Sequence, residues 1–177
     1  QQSPETPDVV MQLSELMRYQ LESAKKNTVL LKKELEFIEN YLLLEEKRLS
    51  ERCHLEFLIK GDLSNLRIAP MLLIPFVENA IEHAFVGQKG TKNIDIQLTL
   101  INKLLHCTIT DNGIGLNAAP PRKNDHKNSL STTITQERLQ ILSKDFQMKG
   151  TVKIEDRSKY QEKGTKVKII IPYKFSA

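Results

Sequence analysis

Two short segments decide the fold: Pro75-Phe-Val-Glu-Asn-Ala-Ile-Glu-His83 and Asp111-Asn-Gly-Ile-Gly115. The first has the apolar spacing of an amphipathic helix and places an Asn among acidic residues. The second places a carboxylate at the end of a predicted strand, directly before two glycines. Together, and not singly, they predict a pocket that holds a purine base at one end and a metal-bound phosphate chain at the other.

The helical segment carries a polar stripe. At about 100° per residue, Glu78, Asn79, Glu82 and His83 share one face of the helix. This face is either the solvated side of an ordinary surface helix or the lining of a pocket. For a pocket, the Asn79 amide oxygen suits Mg²⁺ and adds no charge that competes with phosphates. Glu78 and Glu82 would then hold a metal-bound water or accept a proton.

The carboxylate of Asp111 is predicted to point inward. It has the same parity as Leu105, Cys107 and Ile109 in an alternating strand, so it faces the covered side of the sheet. Burying an unpaired carboxylate costs several kcal/mol, so the group needs a donor, and the exocyclic amine of adenine is one. The alternative is a tight turn in which Asp111 caps its own backbone.

Glycines flank this carboxylate in the sequence. Gly113 and Gly115 remove side chains where a ligand would approach the backbone, and they permit unusual dihedral angles. Gly164-Thr165, just before the last predicted strand, is a third segment of this kind, in which a hydroxyl could assist the carboxylate. Each of these segments is also compatible with an ordinary turn.

Apolar periodicity predicts the remaining elements. Helices are predicted at about 9–26, 31–49, 70–85 and 133–146, and strands at about 55–59, 94–100, 105–110, 152–154 and 167–171. Pro75 predicts a kink or a restart in the third helix. Asn102-Lys103 predicts a hairpin turn, residues 116–132 a loop, and Pro172 the end of a strand.

Strands that are apolar on one face predict a sheet covered by helices on that face only. We therefore expect an α+β fold, a two-layer α/β sandwich over residues 54–177, preceded by a helical segment over residues 1–53. The two helices of this segment pack either against their own domain or in a dimerising bundle with further helices.

Composition excludes several classes of protein. The net charge is +4, and Lys and Glu alternate, as in Lys32-Lys33-Glu34 and Glu45-Glu46-Lys47-Arg48, which indicates a solvated surface of mixed sign and no nucleic-acid partner. Cys53 and Cys107 have no metal-ligand spacing. No apolar run is long enough to span a membrane, so we expect no membrane contact. The start at Gln1, without Met, reads as a cut inside a longer protein.

The quoted residues resemble a known superfamily. Glu78-Asn-Ala-Ile-Glu-His83 is similar to the N box of the GHKL ATP-binding superfamily, which has the Bergerat fold, and Asp111–Gly115 and Gly164-Thr165 resemble its glycine boxes. The resemblance is closer to the LytS/YehU-like class of bacterial sensor histidine kinases. That similarity rests on Leu16-Met-Arg-Tyr19, Leu35-Glu-Phe-Ile-Glu-Asn-Tyr-Leu42, Pro75–Ala80 and Thr135-Gln-Glu-Arg-Leu139.

This resemblance implies a Bergerat-type two-layer fold with a mixed, mostly antiparallel sheet, and it implies ATP and Mg²⁺ as cofactors. Asn79 would ligate the metal, Glu78 would act with it as a catalytic residue, and Asp111 would bind adenine with help from Thr165 through a water. The residues expected to contact the nucleotide are Asn79, Glu82, His83, Asp111, Gly113, Gly115, Ser131, Thr132, Thr133, Arg138, Gly164 and Thr165.

Two departures from the family pattern matter. The His-Phe-x-Phe-Asn-like segment that carries the phosphorylated His is absent, so this sequence would not phosphorylate itself at the usual position. Asn128–Thr133 stands where many relatives have a glycine pair in the lid. Hydroxyls and N–H groups at a helix N-terminus can still receive phosphate, and Arg122, Lys123 and Lys127 would add positive charge.

The implied function is the ATP-binding, catalytic part of a two-component sensor histidine kinase. It would pass the γ-phosphoryl group to a His outside this sequence and then to an Asp of a response regulator. The parent protein would be a homodimer through the N-terminal helices and anchored in the bacterial inner membrane, with this part in the cytoplasm. The alternatives are another GHKL ATPase, such as a clamp, and a pseudokinase that acts as a helix-mediated scaffold with a degenerate pocket.

Overall fold

The computed structural model describes residues 6–49, 53–85, 90–116 and 125–176; within these ranges, the side chains of residues 6, 7, 48, 49, 83 and 125–132 are not included. Four α-helices lie in the described ranges: α1 (Thr6–Ala24), α2 (Leu31–Leu49), α3 (Ile74–Asn79) and α4 (Asp125–Asp145). The two predicted N-terminal helices are confirmed. None of the helices in the described part of the chain has the length and apolar character needed to cross a lipid bilayer.

The predicted helix over 70–85 is only partly right. Residues 70–73 form a turn, in which Met71 adopts a left-handed conformation with φ of 57°. α3 then starts at Ile74 with Pro75 in its first turn, where a missing N–H costs nothing. Of the two alternatives predicted at Pro75, a kink or a restart, the structure shows the second, since the helix begins here, whereas the helical turn predicted before it is wrong.

The helix after the predicted loop begins earlier than expected. α4 starts at Asp125, whereas the sequence suggested a loop to residue 132 and a helix from 133. Residues 125–132 contain no Gly or Pro, and the Ser, Thr and Asn among them lower helix stability by only tenths of a kcal/mol each. Polar composition was therefore a poor indicator of a loop. Residues 117–124 of that loop lie outside the described residues.

Eight strands form two sheets in the described ranges. They are β1 (Val29–Leu30), β2 (Cys53–Lys60), β3 (Leu66–Ile68), β4 (Lys92–Ile101), β5 (Leu104–Asp111), β6 (Thr151–Asp156), β7 (Thr165–Ile171) and β8 (Tyr173–Phe175). The larger sheet has the order β2-β4-β5-β7-β6, with β2 parallel to β4 and the other pairs antiparallel. The predicted mixed, mostly antiparallel sheet is confirmed. Asn102 and Lys103 turn the β4–β5 hairpin with φ of 50° and 61°, as a two-residue turn requires.

The smaller sheet was not predicted. Its order is β1-β3-β8, and both pairings are antiparallel. Strands of two or three residues are too short for alternation to reveal them. Pro172 does end β7, and the chain resumes at once in the other sheet.

The core lies between the larger sheet and the helices. Ile94, Ile96 and Leu98 of β4 are fully buried, whereas Gln97 between them is exposed. The helical residues on the other side of this core include Leu31, Leu35, Ile38, Leu42, Ile74, Phe76, Val77 and Leu139. This arrangement confirms the two-layer α+β fold, and it places α2 in the same core as the sheet. The division of the chain at residue 53 stays a prediction.

Helix α1 differs from the others in its exposure. Val10, Met11, Leu13, Met17 and Leu21 are all exposed, by 46 to 66% of their surface. Among its buried residues is Leu16, and Tyr19 stacks on Phe37 of α2 with ring centroids 4.8 Å apart. One side of α1 therefore packs on α2, and the other presents apolar surface.

Candidate functional site

We call α3 together with the turn that follows it, Ala80–Ala84, the N-box helix, and it is held by its apolar side. Phe76 and Val77 of α3 are buried, while Glu78 and Asn79 at its end are half-buried. Glu82 follows on the next turn and is exposed. The side chain of His83 lies outside the described residues.

A π-helical turn, Ala80–Ala84, follows α3 directly. The Phe85 N–H donates to the Ala80 carbonyl at 3.2 Å, one residue further back than in an α-helix. The regular α-helical spacing used to place Glu78, Asn79, Glu82 and His83 on one stripe therefore ends at Asn79. Turns of this kind often mark functional sites. The local sequence carries no signal for one, since Ala, Ile and Glu are all compatible with an ordinary α-helix.

The N-box helix and the first glycine segment are in direct contact. The Ile114 N–H donates to the Ala84 carbonyl at 2.8 Å. A Cβ on Gly113 would lie 2.4 Å from that same carbonyl oxygen, which no real packing tolerates. The structure thus brings together the two segments that the sequence singled out, and the lack of a side chain at Gly113 is what lets them meet.

Asp111 is buried at the end of β5, as its parity predicted. Its Oδ1 accepts the N–H of Gly113 at 2.9 Å and that of Thr165 at 3.1 Å. Burial raises the pKa of the carboxyl group, and these two N–H donors, the charge of Arg157 and a bond with the Thr165 side chain oppose that rise. The carboxylate therefore caps its own turn, as the alternative interpretation held. A carboxylate has about four acceptor sites, so the capping leaves acceptor capacity for a ligand.

The two other glycines of the site lie against two neighbouring strand ends: Gly164 against Asp111 of β5, and Gly115 against Asp156 of β6. Gly164 has φ of 104°, and a Cβ there would lie 2.0 Å from the Asp111 carbonyl oxygen. Gly115 has φ of 80°, and a Cβ there would approach Asp156 Oδ2 to 3.0 Å. Gly164 needs glycine for conformation and for space, whereas Gly115 needs it mainly for conformation. The three predicted segments therefore form one compact cluster around Asp111.

Arg157 is a residue of this cluster that sequence reasoning missed. Its Nη1 donates to the Asp111 carbonyl at 2.7 Å, and its backbone N–H donates to the Gly164 carbonyl at 2.9 Å. Its Nη2 pairs with Glu162 at 2.6 Å. Nothing in the sequence marks it, because a single Arg after a strand is a common surface residue.

The carboxylates of Glu82 and Glu45 act electrostatically on Glu78. Its pKa is raised by burial first, and then by the carboxylates of Glu82 and Glu45. Glu45 belongs to α2 and is 9% exposed, so the prediction that the Glu45–Arg48 segment is solvated surface is wrong at this residue. A divalent cation beside Glu78 would relieve this repulsion, and the half-buried Asn79 amide is a neutral oxygen donor next to it.

These residues fit Mg²⁺ bound mainly through substrate and water. The described part of the chain contains no group of three His, Cys, Asp or Glu residues that could cage a metal by themselves. Mg²⁺ in nucleotide sites takes one or two protein ligands and completes its shell with phosphates and waters.

The predicted phosphate-contacting residues on α4 are described in part. Thr133 is exposed, whereas the side chains of Ser131, Thr132 and Lys127 lie outside the described residues, as do Arg122 and Lys123 altogether. Arg138 Nη1 donates to the Met71 carbonyl at 3.1 Å, and its Nη2 donates to the Pro70 carbonyl. The guanidinium is thus engaged by the turn before α3, and its contact with a nucleotide stays a prediction.

Comparisons with known proteins point in one direction. The family model described as histidine kinase matches residues 1–53. The sensor protein LytS of Staphylococcus epidermidis is 32% identical over 169 residues, which are 95% of this chain and 28% of that protein. The chain therefore spans less than a third of the length of that relative.

Solved structures share the fold. The histidine kinase AdeS of Acinetobacter baumannii superposes with a TM-score of 0.56 at 16% identity, over 93% of this chain and 75% of the other. The histidine kinase domain of a blue-light activated kinase from Erythrobacter litoralis superposes with a TM-score of 0.51 at 18% identity, over 97% and 80%. At these identities the likeness concerns the fold alone.

Proposed function

Because the chain is a homologue of LytS-type sensor histidine kinases and has the fold of histidine kinase domains, we propose that it is the ATP-binding, catalytic part of a two-component sensor histidine kinase. The observation that carries the proposal is the contact of Ala84 with Gly113 and Ile114. It joins the helix that ends in Glu78 and Asn79 to the strand that ends in Asp111.

Asp111 is proposed to bind the adenine base. Its carboxylate is buried and already oriented by the N–H groups of Gly113 and Thr165. An oriented acceptor selects a donor such as the exocyclic amine of adenine and rejects a base that presents a carbonyl there, because two acceptors would then face each other. Thr165 is proposed to assist through a water, and Gly113, Gly115 and Gly164 leave the space.

Asn79 is proposed to ligate Mg²⁺, with Glu78 and Glu82 beside it. When bound, Mg²⁺ would supply charge neutralisation to the phosphate chain. Asn79 contributes an oxygen without negative charge. Glu78, held half-buried among carboxylates, polarises or orients the groups around the metal. His83 and the α4 residues Ser131, Thr132, Thr133 and Arg138 are proposed to complete the nucleotide contacts.

The proposed reaction is transfer of the γ-phosphoryl group to a His imidazole outside this sequence, followed by transfer to a response-regulator Asp. Most of the catalytic effect in such transfers comes from positioning and electrostatic stabilisation. In this reaction, the role of the chain is to hold the base and the phosphates at the two ends of one cluster, so that the terminal phosphate faces the incoming imidazole.

The N-terminal helices are proposed to form part of a homodimeric bundle in the parent protein. The exposed apolar residues of α1 support this. The parent is further proposed to be membrane-anchored, with this part in the cytoplasm. The exposed face of α1 also motivates the second candidate, a scaffold that acts through helix association without nucleotide.

Isothermal titration with a non-hydrolysable ATP analogue, with and without Mg²⁺, tests the proposal. We expect saturable binding that Mg²⁺ strengthens and that an analogous guanine nucleotide does not reproduce. Absence of heat in a protein with intact secondary structure would overturn the kinase proposal and favour the scaffold.

A further inference from the structure

Helix α2 reaches the turn before the N box through one fully buried carboxylate. Glu34 is 0% exposed, so the expectation that Lys32-Lys33-Glu34 is all solvated surface is wrong at this residue. Its Oε2 accepts the N–H of Met71 at 2.9 Å, and its Oε1 accepts the N–H of Leu73 at 3.2 Å. Leu73 is the residue at the N-cap of α3 and has no side-chain acceptor of its own. Glu34 therefore satisfies, from another helix, the amides that lead into the N-box helix.

The same turn is held from its carbonyl side by α4. Arg138 donates to the carbonyls of Pro70 and Met71, so Met71 is bound through its N–H by Glu34 and through its C=O by Arg138. Met71 has φ of 57°, a conformation that a residue with a side chain keeps only where its surroundings enforce it. The charges of Glu34 and Arg138 also attract each other. Arg138 lowers the pKa of Glu34, which burial raises, and Glu34 raises the pKa of Arg138, which burial lowers.

Helix α2 also acts on the C-terminal end of α3. Glu45 lies eleven residues after Glu34, about three helical turns on the same face, and it acts electrostatically on Glu78. The buried residues Ile38 and Leu42 lie between them on that face. Strand β1 pairs with β3 just before α2 begins, with Val29 opposite Ile68, so the start of α2 is tied to the strand that leads into the turn.

We propose that Glu34 is a positioning residue of the kinase site: opposed by Arg138, it fixes the turn Met71–Leu73 and thereby sets where Glu78 and Asn79 stand relative to the phosphates. This inference rests on the proposed nucleotide site. It makes α2 the element through which a displacement of the N-terminal helices reaches the N box, because Glu34 binds the turn before α3 and Glu45 acts electrostatically on Glu78 near the end of α3.

The test compares Glu34→Gln with Glu36→Gln. Glu36 is the matched control, since it lies two residues further on the same helix but pairs with Lys33 at the surface. In Glu34→Gln the side-chain amide replaces one acceptor with a donor that faces backbone N–H groups. Hydrogen–deuterium exchange without nucleotide should show about tenfold faster exchange in residues 71–79 and no change in the β4–β5 hairpin. Glu36→Gln should match the unaltered protein.

A second measurement distinguishes positioning from mere structural support. Both proteins are compared well below the unfolding temperature. We expect the gain in affinity for the ATP analogue on adding Mg²⁺ to be about tenfold smaller in Glu34→Gln than in the unaltered protein, and the metal-free affinities of the two to agree within about twofold. If the full gain from Mg²⁺ persists, or if exchange rises uniformly along the chain, the inference is overturned while the nucleotide site stands.

If the unaltered protein binds no nucleotide, the proposed function fails, and the kinase-site role of Glu34 fails with it. The exchange measurement would then still show whether Glu34 fixes the turn. Glu34→Asp covers the case in which Glu34→Gln does not fold. It keeps the charge but shortens the reach by one methylene, so it should lose part of the Mg²⁺ gain, and an undiminished gain would overturn the inference.

Discussion

The Ile114 N–H donates to the carbonyl oxygen of Ala84 across 2.8 Å. This bond joins the end of the N-box helix to the first glycine segment, and Gly113 packs against the same residue. The two halves of the proposed nucleotide site therefore form one unit, so a substitution on either side of the contact should alter the geometry of both halves.

Replacing Asp111 with Asn should weaken binding of the ATP analogue by about 1–3 kcal/mol. The Asn oxygen can still cap Gly113 and Thr165, but its NH₂ group then lies where the carboxylate accepted from adenine. Isothermal titration measures the change, and Asp95→Asn, on the opposite face of the sheet, is the control. Equal affinity for the variant and the unaltered protein would remove Asp111 from the base-binding site.

Replacing Asn79 with Ala should reduce the affinity measured with Mg²⁺ by about tenfold and the metal-free affinity much less, because the amide oxygen is the proposed metal ligand. Titrations with Mg²⁺ and with a chelator give the two values. Asn40→Ala, at an exposed position of α2, should change neither. An equal loss in both titrations would argue against metal ligation by Asn79.

Replacing Gly113 with Ala should lower the free energy of unfolding by about 1–3 kcal/mol, the usual cost of overpacking. The added Cβ would lie 2.4 Å from the Ala84 carbonyl oxygen, so the N-box helix has to move. Chemical denaturation measures stability, and nucleotide affinity should fall too. Gly61→Ala provides contrast, since a Cβ there meets nothing within 4 Å and only the backbone conformation, with φ of 98°, is strained. A variant of Gly113 that unfolds and binds like the unaltered protein would contradict the close contact.

Replacing Glu78 with Gln should change the pH dependence of stability. Burial and the charges of Glu82 and Glu45 raise the pKa of Glu78 in the folded protein above its ordinary value of 4.5. The protonated form is thus favoured by folding: its contribution is complete below the pKa of the unfolded chain and is lost as the pH rises through the folded-state pKa.

Glu78→Gln removes that loss, so its stability relative to the unaltered protein should increase from pH 4 to pH 8, a range of about four units that begins near the ordinary carboxyl value. Denaturation curves across this range give the slope. A constant difference, or one that decreases with pH, would contradict the effect of the neighbouring carboxylates on Glu78. Glu39→Gln, at an exposed position, is the comparison.

If the N-terminal helices form the proposed homodimeric bundle, replacing Met17 with Glu should weaken self-association of the proposed parent protein without lowering the stability of this chain by more than about 0.5 kcal/mol. Met17 is 54% exposed on the apolar face of α1, so its removal costs little in the isolated fold. Sedimentation analysis of the parent gives the dimer fraction. Ile141→Glu, at a residue 62% exposed on α4, is the control. An unchanged dimer fraction would exclude this face from the interface.

Much of the fold could be predicted from local periodicity in the sequence. The alternation in β4 and β5 predicted which side chains are buried, including Asp111, because the direction of each side chain in a strand follows from its parity alone. Pro75 predicted the restart of the helix because its ring removes a donor at a known position. The two glycine-containing segments, Asp111–Gly115 and Gly164-Thr165, were recognisable because the conformational freedom of glycine is a local property.

Long-range contacts decided the rest. The strands β1, β3 and β8 exist only because partners distant in the chain pair with them, and the π-helical turn ends where Ala84 meets Gly113 and Ile114. By composition, Glu34 and Glu45 read as surface residues. Glu34 is buried where the turn at Met71–Leu73 supplies N–H donors to it, and Glu45 is buried beside Ile81 and Phe85, with which it lines a small cavity. Sequence by itself thus determined the longer helices and strands and their apolar faces, because these depend on neighbouring residues. The short strands and the burial of charged side chains depend on partners distant in the chain, so only the tertiary structure decided them.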